Sequence, residues 1–181
     1  MNQSRYDAAM SRRTLLRRLA AAGAAYIGLA AFTSSGVAEG KSPKWDDAFE
    51  LAVDFDIAQP NGGRYHRPYV AIWVEDPSGR AVRTLLLWVN TSGRGPRYIR
   101  ELRRWSGAES AQAQDIISTI SGATRLPGSY SVAWNGRDDT GRIVDQGTYR
   151  LFIEAAREHG TYQLMQQDLT LGTSPKAVEL Q

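Results

Sequence analysis

Apolar residues alternate with polar or small ones at Phe49, Leu51, Val53, Phe55 and Ile57. That period of two predicts a strand with one buried face. PNGGRYH breaks the pattern at 60–66. Residues 69–75, YVAIWVE, are apolar on both faces and predict a central strand. DPSGR at 76–80 puts proline and glycine where a turn favours them, and 81–89 form a third strand carrying Leu85, Leu86, Leu87 and Trp88.

The period then changes. Pro96 opens a segment with Ile99, Leu102 and Trp105 at three-residue spacing, while Arg97, Arg100, Arg103 and Arg104 fall mostly on the other side. A short helix is expected there, and a second over 108–120 with Ile116, Ile117 and Ile120 as its apolar stripe. Gly122 and Pro127-Gly128 stop helical continuation. Strands resume at 129–134, 148–155 and 163–171. Several strands with turn signals and no long helix predict an all-β fold, an antiparallel β-sandwich with a short helical insertion at about 97–120. No internal repeat is evident.

Charge alters the picture at the N-terminus. The chain has 181 residues and a formal net charge of +3. Residues 1–38 hold five of the 22 basic residues and one of the 19 acidic ones, so the remainder has 17 basic and 18 acidic residues and a net charge of −1. A nucleic-acid-binding protein needs a basic face, and bulk charge offers none. SRRTLLR at 11–17, an Ala-rich apolar run at 19–32 and Gly36-Val37-Ala38 have the three-part layout of an export signal. The paired arginines resemble a twin-arginine (Tat) signal, which implies export through the Tat machinery to the periplasm and a single domain over 39–181. Cysteine is absent, which excludes disulfides, thiolate metal sites and CxxC redox pairs.

The stretch WNGRDDTGRIVDQGTY at 134–149 supplies two glycines that tolerate positive φ, then a strand with Tyr149, Leu151 and Ile153 on one face. It resembles the Ig-like module of flagellar hook-capping proteins, which implies an Ig-like sandwich and a non-catalytic binding or assembly module as one functional class. Asn135, Asp138 and Asp139 suit either calcium or side-chain-to-backbone turn bonds.

The mature chain as a whole resembles a family of predicted periplasmic proteins, domain of unknown function 2271, through RPYVAIWVED, YIRELRRW, SGATRLPGSY, WNGRDDTG and EAAREHG. A shorter resemblance carries chemistry. Ser121, Gly122, Ala123 and Thr124 are similar to the Ser-Gly-Ala-Thr attachment sequence of extracytoplasmic flavoproteins. There an FAD-dependent FMN transferase links the threonine oxygen to the FMN phosphate. The resemblance implies FMN on Thr124, with Arg125 placed to pair with the phosphate. It also implies an electron carrier or accessory protein rather than a stand-alone enzyme, exchanging electrons with a membrane protein, and the resemblance to the family of predicted periplasmic proteins suggests a membrane-bound redox partner of the PepSY type. Ser118 stands where that pattern has aspartate, and Asp115 lies one helical turn earlier. A structural helix-to-strand turn accounts for the same residues.

Other groups invite chemistry less directly. His66 and His159, with Glu154 and Glu158, are either a metal site or separate loop and strand residues. Arg94, Arg97, Arg100, Arg103 and Arg104 are either an anion site or a solvated face. Trp88, Tyr98, Trp105 and Tyr130 flank the insertion, and each is core or a stacking partner for a flavin ring.

Overall fold

The structure, a computed structural model, describes residues 42–59, 65–158 and 160–174. The signal-like segment 1–38 and His159 lie outside them. The fold is predominantly β, in two sheets. Strands β1 (Leu51–Ile57) and β5 (Gly128–Trp134) form an antiparallel ribbon in which Phe55 faces Tyr130 across the ladder. The second sheet runs in the order β4-β3-β2-β6-β7, with β2 at Tyr69–Glu75, β3 at Ala81–Trp88, β4 at Ser121–Gly122, β6 at Gly147–Ala156 and β7 at Tyr162–Leu171.

The two faces of this sheet are covered by different layers. Val70, Ile72 and Val74 of β2 and Leu151 and Ile153 of β6 meet Val53, Ile57 and Trp134 of the ribbon. Ala71 and Trp73 of β2, Leu87 of β3 and Phe152 of β6 meet Ile99, Leu102, Trp105 and Ile116 of the helical segment. Every residue of β2 is therefore buried, which explains its unbroken apolar run. Trp73 and Phe152 stack across the ladder with ring centroids 4.9 Å apart.

The helical segment matches its expected place but not its expected form. Gly95–Glu101 is a 3-10 turn, followed by α1 (Arg103–Ala108) and α2 (Ala113–Ile120). The three-residue spacing of Ile99, Leu102 and Trp105 suits a 3-10 turn, whose side chains at i and i+3 eclipse. Ile120, expected on the apolar stripe, is 38% exposed. It is the last residue of α2, and the backbone turns extended at Ser121. The short β4 bonds parallel to the edge of β3, so the large sheet is not wholly antiparallel.

A buried polar chain ties the helical layer to the sheet. Glu154 is fully buried, and its carboxylate accepts the backbone N–H groups of Arg104 at 2.9 Å and Trp105 at 2.8 Å. Those groups belong to the first turn of α1, where no intrahelical partner exists. Glu75 accepts Trp73 Nε1 at 2.8 Å and pairs with Arg104 at 2.5 Å. Trp105 Nε1 donates to Thr84 Oγ1 at 3.0 Å, and that hydroxyl donates to Glu109 at 2.7 Å.

Burial raises the Glu109 carboxyl above its ordinary value; the Thr84 hydrogen bond opposes the shift, and the charges of Asp139 and Glu75 add to it. The folded state thus binds a proton that the unfolded state has already lost. Stability contributed by this group falls as pH rises above the ordinary value of about 4.3 towards the raised one. Glu109→Gln keeps an acceptor for Thr84 and removes the charge. Its melting temperature is expected to exceed the parent's at pH 8 and to converge with it near pH 4. Equal melts at pH 8 would show that the group carries no such cost.

Two turns are built alike. In 76–80 and 138–142 an Asp carboxylate accepts the backbone N–H groups two and four residues on, at 2.9 and 3.1 Å for Asp76 and at 2.9 Å in both cases for Asp138. Gly79 and Gly141 hold φ of 79° and 83°. The loops touch: Asp139 N donates to Val82 O at 3.1 Å, and Arg83 pairs with Asp139 at 3.3 Å. A five-residue turn is too short to register as a sequence repeat. For Asp76 and Asp138 burial works upward, but hydrogen bonds from the turn outweigh it and lower both carboxyls.

Gly136 is the glycine that the WNG stretch most requires. Its φ is 73°, and a Cβ there would lie 2.1 Å from Trp45 Cε3. Trp45 is buried and packs on Trp134 at 5.7 Å. Gly136→Ala is expected to cost roughly 2–4 kcal/mol through left-handed backbone strain and overpacking. Denaturant titration measures this, and a midpoint unchanged from the parent would refute it.

Candidate functional site

The Ser-Gly-Ala-Thr stretch lies where the helical layer returns to the sheet edge. Ser121 pairs with Leu87 and Gly122 with Trp88, while Gly122 O accepts Val89 N at 2.9 Å. Gly122 crosses beside the indole of Trp88: a Cβ there would stand 3.3 Å from Trp88 Cδ1. Sheet pairing fixes this first half of the stretch, and the chain then leaves the ladder. Ala123 and Arg125 are exposed and Thr124 is half-buried.

Among the described residues the Thr124 hydroxyl makes no hydrogen bond. The Thr124 carbonyl accepts a long one, 3.5 Å, from Arg67 Nη1. The Arg125 guanidinium lies over the Trp88 ring, 5.7 Å from its centroid. The Thr124 hydroxyl is thus unengaged, with one guanidinium on its own carbonyl and that of the next residue over Trp88.

An aromatic cluster borders the stretch. The Tyr130 ring meets Trp88 edge-on at 4.8 Å and 75°, and Phe55 lies 5.6 Å from Trp88 and 5.9 Å from Tyr130. Tyr130 also donates its hydroxyl to Leu126 O at 2.7 Å, which closes the loop after Thr124. Leu126 itself is 54% exposed. An open groove of about 440 Å³ runs along the ribbon, lined by Asp54, Phe55, Asp56, Ser129, Tyr130 and Ser131.

The four aromatics flanking the insertion therefore separate. Trp88 and Tyr130 stand at the stretch. Trp105 is wholly enclosed, and Tyr98 packs towards Tyr69 at 6.5 Å. Arg67 and Phe55 join the site without a sequence signal. Phe55 read as an ordinary inward residue of an alternating strand, and Arg67 lies 57 positions from Thr124.

Residues 50–181 match the family described as "Predicted periplasmic protein (DUF2271)". The chain belongs to this family. No curated protein and no solved structure matches it. The DUF2271 description gives a predicted location and no reaction, so chemistry has to be read from side chains.

The remaining candidate residues of the DUF2271 chain are dispersed. Glu154 is engaged by α1, whereas Glu158 accepts Tyr69 OH at 3.4 Å and lies 3.8 Å from His66 Nδ1. Burial, with the Glu158 charge and hydrogen bond adding to it, pushes the Tyr69 hydroxyl up to about 12. Among the described residues no three His, Asp or Glu side chains converge as a metal centre requires. Arg104 turns inward to Glu75, Arg103 pairs with Glu101 at 3.5 Å, and Arg94, Arg97 and Arg100 are exposed. In the WNGRDDTG loop Asn135 Oδ1 accepts Arg137 N at 3.3 Å, so Asn135, Asp138 and Asp139 all serve turn geometry or an ion pair. No helix among the described residues is long and apolar enough to cross a membrane.

Proposed function

We propose that this chain is a periplasmic electron-transfer protein that carries FMN covalently on Thr124 and exchanges electrons with a membrane redox partner. The observation that carries the reading is the Thr124 hydroxyl: unengaged, preceded by Gly122 and Ala123, and accompanied by the cations of Arg125 and Arg67. Attachment is a phosphoryl transfer from FAD. Thr124 Oγ1 bonds to the phosphorus of the FMN half, the pyrophosphate bond breaks, AMP leaves, and the hydroxyl proton passes to a base of the FAD-dependent transferase. The small residues before Thr124 leave room for a bulky donor, and the arginines neutralise the diester charge. FMN supplies the redox chemistry once attached; the chain holds and presents it. Export through the Tat machinery and a PepSY-type membrane partner belong to the same proposal.

Co-expression with an FAD-dependent FMN transferase tests it. The exported protein is expected to fluoresce in a denaturing gel and to gain the mass of one FMN ester. Colourless, unmodified protein would overturn the reading.

A second reading has its own support. The residues of WNGRDDTG are spent on turns and on the seat of Trp45, as a module that works through its shape would require. It makes the chain a non-catalytic Ig-like binding or assembly module, the two sheets being its sandwich. It predicts no mass gain under the same conditions.

A further inference from the structure

We infer that the face of Trp88, walled by Tyr130 and Phe55, is the seat of an isoalloxazine ring, and that Arg125 is the gate that leaves it when the ring arrives. The inference rests on the reading of Thr124 as the flavin acceptor and names where the ring goes. Trp88 is half-buried in the last position of β3. Its surroundings are asymmetric: Tyr130 presents to it edge-on, Phe55 is tilted at 45°, and the Arg125 guanidinium lies over the ring. An exposed guanidinium holds an indole face weakly, and a phosphate diester is its better partner. When the ester forms at Thr124, the adjacent Arg125 gains that partner and uncovers the indole.

Geometry allows the ring to fold back. Gly122 touches Trp88, and Thr124 is two residues further on, a span of at most about 7 Å. The five-carbon ribityl chain of FMN can cover a distance of that order in the return direction. Gly122 keeps the approach low, because any side chain there would crowd Trp88 Cδ1 from 3.3 Å. An electron-rich indole against an electron-poor flavin favours offset stacking, for which Tyr130 and Phe55 provide the walls. Trp105 and Tyr98 are poor alternatives, one enclosed and one packed towards Tyr69.

Stacking on tryptophan quenches flavin emission, which gives a readout independent of electron transfer. The protein is flavinylated by co-expression, its flavin content is fixed by intact mass, and emission per flavin is compared before and after unfolding in guanidinium chloride. Emission is expected to rise several-fold on unfolding, and Trp88→Leu is expected to reproduce most of that rise in the folded state at equal flavin content. The unfolding comparison uses the parent chain, so it stands even if Trp88→Leu folds poorly. Attached flavin as bright in the folded parent as in the unfolded one, or equally dim in folded Trp88→Leu, would overturn the seat while leaving the attachment intact. Absence of flavin from the parent would overturn the attachment reading and the seat with it.

Discussion

Thr124→Ala is expected to abolish covalent flavin and to leave the fold unchanged. The hydroxyl removed makes no hydrogen bond among the described residues, and the carbonyl contact with Arg67 is a main-chain one that alanine preserves. Thr124 lies beyond the last β4 pair, so no ladder bond depends on its side chain. A surface change of this kind alters stability by within about 0.5 kcal/mol. The modification, by contrast, requires one oxygen nucleophile and is all-or-none. Thr124→Ser should retain labelling, because it keeps the oxygen and removes only a methyl group. Intact mass and gel fluorescence after co-expression with the transferase read both variants. Persistent labelling of Thr124→Ala would place the ester elsewhere, with Ser121 the next hydroxyl to test, and would refute the role given to Thr124.

Glu154→Ala has the largest expected effect on stability. The carboxylate satisfies two backbone donors of α1, and one of them belongs to Trp105, whose side chain is wholly buried. Removing it leaves those donors without an acceptor and opens a void beneath the helical layer. Leaving one buried polar group unsatisfied costs about 1–3 kcal/mol. With the void, a loss of roughly 3–5 kcal/mol is expected, a large fraction of a typical domain stability of about 5–15 kcal/mol. For a chain of this size that corresponds to a drop of about 6–20 °C in melting temperature. Glu154→Gln should fall between the two, since its amide oxygen can accept from one donor. Calorimetry of the three proteins decides the point; a drop under about 3 °C for the alanine variant would mean that water or a backbone shift replaces the carboxylate.

The unequal legibility of these two sites has a physical cause. Thr124 drew notice because an attachment sequence, if it is one, is written in four consecutive residues. Glu154 read as a metal candidate beside Glu158 because two carboxylates near a histidine look alike whatever they touch. Only the pairing of β6 with β2 turns Glu154 towards α1, while Glu158 lies beyond the end of β6, near Tyr69 and His66. Ile120 and the basic cluster went the same way. Periodicity put Ile120 on a stripe, but the stripe ends where α2 gives way to β4. Arg104 looked like its exposed neighbours, but its guanidinium reaches Glu75 and lies over the Phe152 ring.

Six of the seven strands, the central place of β2, the helical insertion and the turn glycines were legible in the sequence, because periodicity and positive φ are properties of a few adjacent residues. The parallel edge strand β4, the Glu154 anchor and the gathering of Arg67, Phe55, Trp88 and Tyr130 along residues 122–126 depend on the tertiary structure. Each depends on which strands pair and in what register, and those pairings join residues tens of positions apart whose own neighbourhoods carry no mark of the meeting.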